Sequence, residues 1–532
     1  MHLVENFTDA ERAALAPYFT NVDKPVFALV NLPEVVKGAL FARYSRSGKS
    51  LRRLFLDEFH EQVGEAPGGT EIGTERAGRL YERMLDEYGD DSVAQLGGAH
   101  LACERASNIL TKVLEWGRLL AYLEQSTRYV SYTDRSGDRW KYLVPAELDG
   151  APALRGAYER ALDAAFATYA HWIEPLEAHF RARHPKAPGD PEGVYKRTIR
   201  AKALDTLRGL LPAATQSNLG LFGTGQGYEA LLLRMRAHPL AEVQEYARLI
   251  LEELRRVIPA FLQRVDREDR GVAWSRYLAA TRTATREIAE RLLADREPEA
   301  CEEVTLTEFD PDGEVKVVAA ALYDASALPD SQLLDVVRRM TAGERESVLR
   351  AYVGERTNRR HKPGRALERT SYRFDVLTDY GAFRDLQRHR MLTLEWQPLS
   401  PRFGHVMGEA VEEAGAANDW RRVMDDCAAV YDSMMAEGLG AAAPYVVPMA
   451  YRVRFYMHMN AREAMHVIEL RTAPQGHPAY RRVCQAMHRQ IADVAGHRAL
   501  AAAMGFADHS QVELERLQSE RAAERKRQDR VG

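Results

Sequence analysis

Cysteine is scarce in this chain: four residues in 532, Cys103, Cys301, Cys427 and Cys484, with no CxxC and no metal-ligand spacing among them. That pattern gives no disulfide framework and suits a reducing, cytoplasmic compartment. Long hydrophobic runs are also missing; none approaches the roughly 20 residues of a membrane span. The first residues, MHLVENFTDAERAAL, are acidic and unlike a secretory signal. Strong charge of either sign is absent too. A net charge of −4 argues against a general nucleic-acid binder, so the expected partners are small molecules, with no nucleic acid and no membrane. What remains is 45% hydrophobic and 28% charged, a globular composition with ample core. The length implies two to four domains. Arginine heavily outnumbers lysine, which fits phosphate-binding sites.

The stretch most loaded with chemistry is Gln387–Phe403, QRHRMLTLEWQPLSPRF. It carries Arg388, His389 and Arg390 after an apolar run with Phe383 and Leu386. Two guanidiniums one residue apart diverge in either a helix or a strand, so they cannot share one surface ion pair. They suit a planar anion gripped at several points. Ser400 and Arg402 follow, and Pro398 should end any helix begun near Asp379. On its own the triplet reads as a helix end with solvated charges.

Along the chain, KPVFALVNL predicts a strand, and helical patterns follow at 50–64 and 73–88. The run from Ser92 to Tyr129 is apolar at helical spacing (Leu101, Ile109, Leu110, Val113, Leu114). WKYLVP is strand-like, helices cover 151–182, and after the loop PKAPGDPEG they resume to about 265. Residues 292–315 read as a linker feeding a hairpin, with Asp310-Pro-Asp-Gly313 as its turn and Lys316–Tyr323 as its second strand. Helices at 330–353 and 406–437, a strand-like YVVP and a final helical region complete the chain. Two halves share landmarks in the same order: Ser126-Thr-Arg128 with Ser400-Pro-Arg402, Leu210-Leu-Pro212 with Val446-Val-Pro448, Leu233-Arg234 with Leu470-Arg471, and His238-Pro239 with His477-Pro478. This order reads as an internal duplication. The expected domains are 1–291, a linker and hairpin at 292–315, a second domain at 316–512 and a charged tail at 513–532.

Gln387–Phe403 resembles the diagnostic motif of the flavin-dependent thymidylate synthases, Arg-His-Arg, seven residues, then Ser. Here nine residues separate Arg390 from Ser400, and Phe403 stands where the family usually has Tyr, so the resemblance is to a diverged member. Two further segments carry it. His361-Lys-Pro-Gly-Arg-Ala-Leu-Glu368 is similar to a family segment before its flavin-binding strand. Asn460-Ala-Arg462, His466 and Leu470-Arg471 match the family's Asn-x-Arg…Asn…Leu-Arg helix without a gap, except that His466 replaces Asn. On a helical projection Arg462, His466 and Glu469 fall on one polar strip, and Ala461, Ala464, Met465 and Ile468 form a core face.

The first half keeps a different subset. Glu124-Gln125-Ser126-Thr-Arg128-Tyr129 is similar to the family's phosphate-gripping run, and Arg208 stands four residues before Pro212, where the family has a phosphate-binding Arg. The second half has Pro444 there. Trp116-Gly117 replaces Arg-His, and Gly223 and Gly225 of GTGQG replace Asn-x-Arg; that glycine run reads as a loop.

The resemblance implies an α/β (α+β) fold of two tandem domains, each a small twisted sheet flanked by long helices, with two chains rebuilding a pseudo-tetramer. It implies reductive C5 methylation of dUMP with methylenetetrahydrofolate, FAD and NADPH. Flavin contacts would come from Arg388, His389, Arg390, Asn460 and His466, with Arg462 serving either ligand and His361 and Glu368 as weaker candidates. Gln125, Ser126, Arg128, Arg208, Ser400 and Arg402 would hold the nucleotide, and Arg471, with Arg390, would do the catalytic work by polarising the ring. The complementary losses predict one composite site, with Ser126, Arg128 or Arg208 near Arg390 and Arg471, lining one pocket. Two other readings stay open: a flavoenzyme acting on another pyrimidine nucleotide or using another carbon donor, and a non-catalytic nucleotide- or flavin-binding relative.

Overall fold

The computed structural model describes residues 5–44, 47–60, 95–188 and 190–511. The helix expected at 73–88 and the tail at 513–532 lie outside them. The fold is mixed helix and sheet, with two small antiparallel sheets.

The chain begins with three short helices, α1 (Asp9–Leu15), α2 (Glu34–Tyr44) and α3 (Leu51–Glu58). Then come β1 (Gly98–Ser107), α4 (Asn108–Leu114), β2 (Leu120–Glu124) and a two-residue ribbon, β3 (Arg135–Ser136) with β4 (Arg139–Trp140). Next are α5 (Pro152–Arg183), α6 (Glu192–Leu207), β5 (Gln216–Thr224), α7 (Gly225–Arg236), α8 (Ala241–Arg255) and α9 (Ala273–Leu293). The remainder runs β6 (Val304–Phe309), α10 (Gly313–Leu322), α11 (Asp330–Arg339), α12 (Ala342–Val353), β7 (Ser371–Asp379), α13 (Tyr380–Leu386) and β8 (Thr393–Trp396). It closes with α14 (Glu409–Glu413), α15 (Ala417–Ala436), β9 (Arg452–Asn460), α16 (Ala461–Arg471), α17 (Pro478–Asp493) and α18 (Arg498–Ala503). No helix among the described residues is long and apolar enough to cross a membrane.

Two compact units interleave along the sequence. One draws on Met1–Ala106, Val113–Glu124 and Ser217–Arg296; the other on Ser107–Lys112, Gln125–Gln216 and Glu297–Gly532. This division differs from a cut near residue 300, because residues 125–216 of the first half are built into the second unit.

In the first unit the strands lie in the order β1-β5-β2, and β2 pairs antiparallel with β5 from Leu120↔Gly223 to Glu124↔Leu219. In the second unit the order is β6-β7-β9-β8. β7 and β9 pair along their whole length, Ser371↔Asn460 to Asp379↔Arg452. One face of that pair is core: Tyr372, Phe374 and Val376 are buried, as are Val453, Phe455, Met457 and Met459. A strand with period-two burial needs only one covered face, and here α17 packs against β6 and β7.

The duplication is visible in topology. β1-α4-β2 and β7-α13-β8 are equivalent, β5-α7-α8 matches β9-α16-α17, and in each sheet the last of the three strands lies in the middle. The repeated Leu-Leu-Pro and Val-Val-Pro segments pair with each other: Pro212 and Pro448 form a bridge, Ala213 N–H donates to Val447 O (2.9 Å) and Met449 N–H to Leu211 O (2.9 Å). Met449 is 236 residues after Ala213 and Val447 is 236 after Leu211, so the two bonds are the same bond with the halves exchanged, the signature of a local two-fold relation. His238 and His477 also repeat, each accepting at Nδ1 from the N–H two residues on, at 3.3 and 3.2 Å.

Several sequence expectations are corrected. The Asp-Pro-Asp-Gly turn forms, with Gly313 N–H donating to Asp310 O, but the hairpin at 292–315 does not. After the turn the chain enters α10, whose Val317, Val318, Ala319 and Ala321 are buried around a helix rather than along a strand. Among the described residues of the helical run at 92–129, the α-helix is Asn108–Leu114, flanked by β1 and β2. KPVFALVNL contributes a single bridge, Phe19↔Leu29, and WKYLVP only β4 and the bridge Tyr142↔Thr215. YVVP begins in a 3₁₀ turn, Ala443–Val446. GTGQG is not a loop: β5 runs straight into α7, capped by Thr224 accepting from Gly227 N–H. Thr224, rather than Gly223, therefore holds the capping position of Asn460.

Candidate active site

Every residue of the site lies in the second unit. Ser126 folds the chain locally, its hydroxyl accepting from Arg128 N–H (3.2 Å), a short turn that directs the Arg128 side chain inward. Arg128 then grips Asp205 through two parallel bonds, Nε to Oδ1 (2.8 Å) and Nη2 to Oδ2 (2.7 Å). Asp205 sits one turn before Arg208, which is only 3% exposed. Arg208 Nη1 lies 3.8 Å from Asp205 Oδ1 and 3.4 Å from Asp385 Oδ2.

Asp385 comes from α13, which is capped by Asp379, near where a helix was expected to begin, but ends at Leu386, before the Arg-His-Arg run and well short of Pro398. Arg471, the last residue of α16, reaches the same carboxylate: Nη2 donates to the Asp385 carbonyl and Nη1 lies 3.9 Å from Oδ1. Burial pushes the Asp385 carboxyl up, yet Arg208, Arg388, Arg471 and Arg128 together hold it far below the usual carboxylate range. Asp205 is likewise held down against burial, mainly by Arg128. Arg128, Arg208 and Arg471 are thus brought together on Asp205 and Asp385, but Arg390, expected with them, is exposed, and the cavity that Arg208 lines includes neither Arg471 nor Arg128. Ser400 and Arg402 lie apart from it: Ser400 bonds Tyr431, and Arg402, 57% exposed at its side chain, pairs with Glu297. Gln125 is half-buried at the start of the Ser126 turn.

Arg471 has another partner that the sequence did not reveal. Its Nε donates to His389 Nε2 at 2.9 Å, and its guanidinium lies over the Tyr480 ring. His389 is almost fully enclosed; burial, then Arg471, hold it well below the ordinary histidine range, so the ring is neutral with Nε2 as acceptor. Its other nitrogen lies 3.6 Å from Glu463 Oε1. His466 meets His389 edge to face at 5.5 Å, and burial lowers it to about 4.

Asn460 caps α16, its Oδ1 accepting from Glu463 N–H (2.9 Å). Arg462 donates to Pro363 O (3.0 Å) and pairs with Glu368 (3.4 Å), which also binds Arg365. His361 is exposed against Asn358 and Thr357. Glu469, expected on the polar strip beside Arg462, is instead buried in a pair with Arg356 (2.6 Å). Arg388 is half-buried and acts on Asp385, while Arg390 is exposed. Lys362 is a further cation felt by His389, Glu463 and His466.

His389, Glu463 and His466 bring possible metal-ligand atoms within 4.8 Å of one another. The donor set does not favour a cation. A metal on His389 Nδ1 would require a proton on Nε2, which faces the Arg471 N–H, and Lys362 and Arg462 add positive charge nearby. Cations and neutral imidazoles beside the N-terminus of α16 suit an anionic cofactor with a flat ring instead, and in that respect they fit a flavin dinucleotide.

The first unit shows what the duplicate became. Arg234, the counterpart of Arg471, lies over the Trp116 ring at 4.9 Å, and a Cβ on Gly117 would stand 3.0 Å from its Nη2. A stacked guanidinium takes the place of the bond to histidine.

The family model described as thymidylate synthase complementing protein matches residues 39–260 and again 305–496. The chain belongs to that family. Its two matches are the two tandem copies read from topology. A Chlamydia muridarum protein named UPF0159 protein is 38% identical over 97% of this chain and 98% of its own length. A flavin-dependent thymidylate synthase of Clostridium tetani is 24% identical over 38% of this chain and 75% of its own. Among solved structures, the UMP/dUMP methylase PolB from Streptomyces cacaoi, bound with 5-Br dUMP, is 20% identical over 37% of this chain and 94% of its own, with a TM-score of 0.30. For this thymidylate synthase-family chain the residues missing from sequence reasoning were Asp205, Asp385, Lys362 and Tyr480. The first two had a signal: Asp205-x-x-Arg208 and Asp385-x-x-Arg388 repeat one spacing in the two halves.

Proposed function

We propose that the protein is a flavin-dependent enzyme that methylates dUMP at C5, using methylenetetrahydrofolate as carbon donor, with FAD as cofactor and NADPH as reductant. The observation that carries this reading is the convergence of Arg128 and Arg208 with Arg471 on Asp205 and Asp385. Four guanidiniums (Arg128, Arg208, Arg388, Arg471) face two carboxylates, and four minus two leaves two positive charges. A phosphate monoester carries about −1.5 to −2 at neutral pH.

In this reading Arg128 and Arg208 hold the phosphate through their forked donors. Arg471 polarises the pyrimidine, and His389 orients it. His389 can do so at neutral pH because it stays uncharged; an imidazolium would repel the guanidinium. Arg462 and the N-terminus of α16, with Lys362, Arg388 and Arg390, would hold the flavin, which when bound supplies the reducing equivalents for the transfer. The reading assigns no role to a thiol: Cys427 and Cys484 are buried in the second unit with their pKa values pushed up, Cys484 to about 12, and Cys301 is exposed on the segment leading into β6, bonded by Arg454.

The test is direct. Purified protein should show a flavin spectrum and, with methylenetetrahydrofolate and NADPH, convert dUMP to a product 14 mass units heavier, about the mass of one methylene. UMP and dCMP run in parallel separate this reading from a different pyrimidine substrate. A colourless protein without turnover of any of the three would leave only the non-catalytic alternative.

A further inference from the structure

The helix α9 lies in the first unit, outside both stretches that match the family model, 39–260 and 305–496. It has 21 residues, of which Ser275 is the one buried. Two bonds tie it to the end of α7: Ser275 Oγ donates to Leu233 O (3.2 Å) and Arg282 Nη1 to Ala237 O (2.9 Å). Roughly 90° around the helix from that face runs an uncharged stripe of Trp274, Leu278, Thr281, Thr285, Ile288 and Leu292, bordered by Tyr277 and Ala284. Trp274, Tyr277, Ile288 and Leu292 are between 48 and 66% exposed. A continuous row of large apolar side chains in water marks an interaction surface. Charge is kept to the opposite arc, which holds Arg276, Glu287 and Glu290.

The pattern of the stripe says what covers it. Its spacings are 4, 3, 4, 3 and 4, the repeat of a coiled-coil seam, so the matching surface is another helix. Its sizes are palindromic, large at both ends with two threonines in the middle. An antiparallel copy of the same helix therefore fits, with Trp274 opposite Leu292, Leu278 opposite Ile288, and Thr281 opposite Thr285. That is the geometry of a two-fold dimer, in which residue i meets j and j meets i. The threonines bring no unpaired donor to such a seam. Thr281 Oγ1 donates to Leu278 O (3.1 Å) and Thr285 Oγ1 to Thr281 O (2.8 Å), which leaves their methyl groups for packing.

We propose that α9 is a self-association surface, pairing antiparallel with α9 of a second copy of this chain about a two-fold axis beside Thr281 and Thr285. Covering the stripe on two chains removes on the order of 1,000 Å² from water, the lower limit of a specific interface, so the contact is reversible. Nothing in the pairing depends on the flavin or the nucleotide.

The test is analytical ultracentrifugation of the full-length protein from about 0.1 to 50 μM, a range that brackets micromolar dissociation. Two variants accompany it. Ile288→Glu places a carboxylate in the seam, and Thr283→Glu places one on the charged arc. Both positions are exposed, so neither substitution disturbs the fold, and circular dichroism checks this. The wild type and Thr283→Glu are expected to associate with concentration, whereas Ile288→Glu should halve the mass and weaken association at least tenfold. Cysteine cross-linking reads the register, in a Cys301→Ser background because Cys301 is exposed. A mixture of Thr281→Cys and Thr285→Cys proteins should link under mild oxidation, and neither protein alone should. A wild type that stays at 60.0 kDa throughout, or an assembly that Ile288→Glu leaves intact, overturns the proposal. Cross-linking of Thr281→Cys with itself means a parallel pair and overturns it too. Sedimentation of a monomer with anionic vesicles, lost in Ile288→Glu, assigns the stripe to a lipid surface instead.

Discussion

Arg471 divides its guanidinium among the Asp385 carbonyl, the Asp385 carboxylate and His389 Nε2. Arg471→Ala should lower kcat on dUMP by about a hundred- to a thousandfold, the range for losing a preorganised charged donor, with flavin content unchanged. His389→Gln should retain most activity, because a glutamine oxygen can replace Nε2 as acceptor, whereas His389→Ala should not. A steady-state comparison of kcat and KM for these two variants checks it. The same histidine makes stability pH-dependent. In the unfolded chain its pKa is near 6.5, and in the fold it is held well below that. As pH falls below about 6.5 the unfolded chain takes up a proton that the folded ring refuses, so stability is lost on acidification. By pH 5 one such ring costs on the order of 2 kcal/mol. His477, lowered to about 3, adds in the same direction. Asp205 and Asp385 do not titrate in that window, since both are held below the ordinary carboxylate range. Melting temperature measured from pH 7 to 5 should fall in the wild type, and less steeply in His389→Gln.

At the level of elements, local signals carried as far as local physics decides. A helix begun near Asp379, the helix after Asn460 and the core face of Ala461, Ala464, Met465 and Ile468 were legible because 3.6-residue spacing acts within a few residues. β1 and β2 were not. Leu101 fits by chance the helical period of 109–114, residues that do form α4, and what makes 98–107 a strand is its pairing with β5, more than 100 residues later. The turn at Asp310–Gly313 was legible; the element after it was decided by burial on all sides of α10. Glu469 sat on the polar arc of its helix, and only Arg356, 113 residues away, explains its burial. The cap at Asn460 also reshapes a test of flavin binding. Replacing it with Ala removes a cap worth about 1 kcal/mol as well as an amide. Asn460→Ser keeps the cap, so flavin lost from Asn460→Ser combined with Arg388→Ala, at unchanged helicity by circular dichroism, would be loss of a contact. Trp116→Ala, in the duplicate, should leave the flavin bound.

At the level of the whole molecule, the two halves of the sequence are not the two compact units. Residues 125–216 supply Arg128, Asp205 and Arg208 and the helix α5, which packs along α15 and bonds it through Trp172 Nε1 to Asp419 (3.0 Å). A fragment spanning 297–511 should therefore be poorly folded when expressed alone and should gain protease resistance when 125–216 is supplied. Equal resistance with and without that segment would count against the interleaved arrangement. The duplication was readable from shared landmarks, while the strand order and the local two-fold relation at Pro212 and Pro448 were not. Where the units divide was not, because a repeat records ancestry while compactness records which surfaces ended up buried.

The scarcity of cysteine has a practical side. Three of the four thiols are buried, and burial pushes Cys103 and Cys484 to about 12 and Cys427 higher still. Cys301 alone is exposed, with Arg454 donating to its sulfur at 3.0 Å, on the segment leading into β6. A maleimide dye at neutral pH should therefore attach once per chain, without any engineered substitution. That gives a fluorophore at a defined address in the unit that holds the candidate site, and mass spectrometry of the labelled protein should find a single adduct.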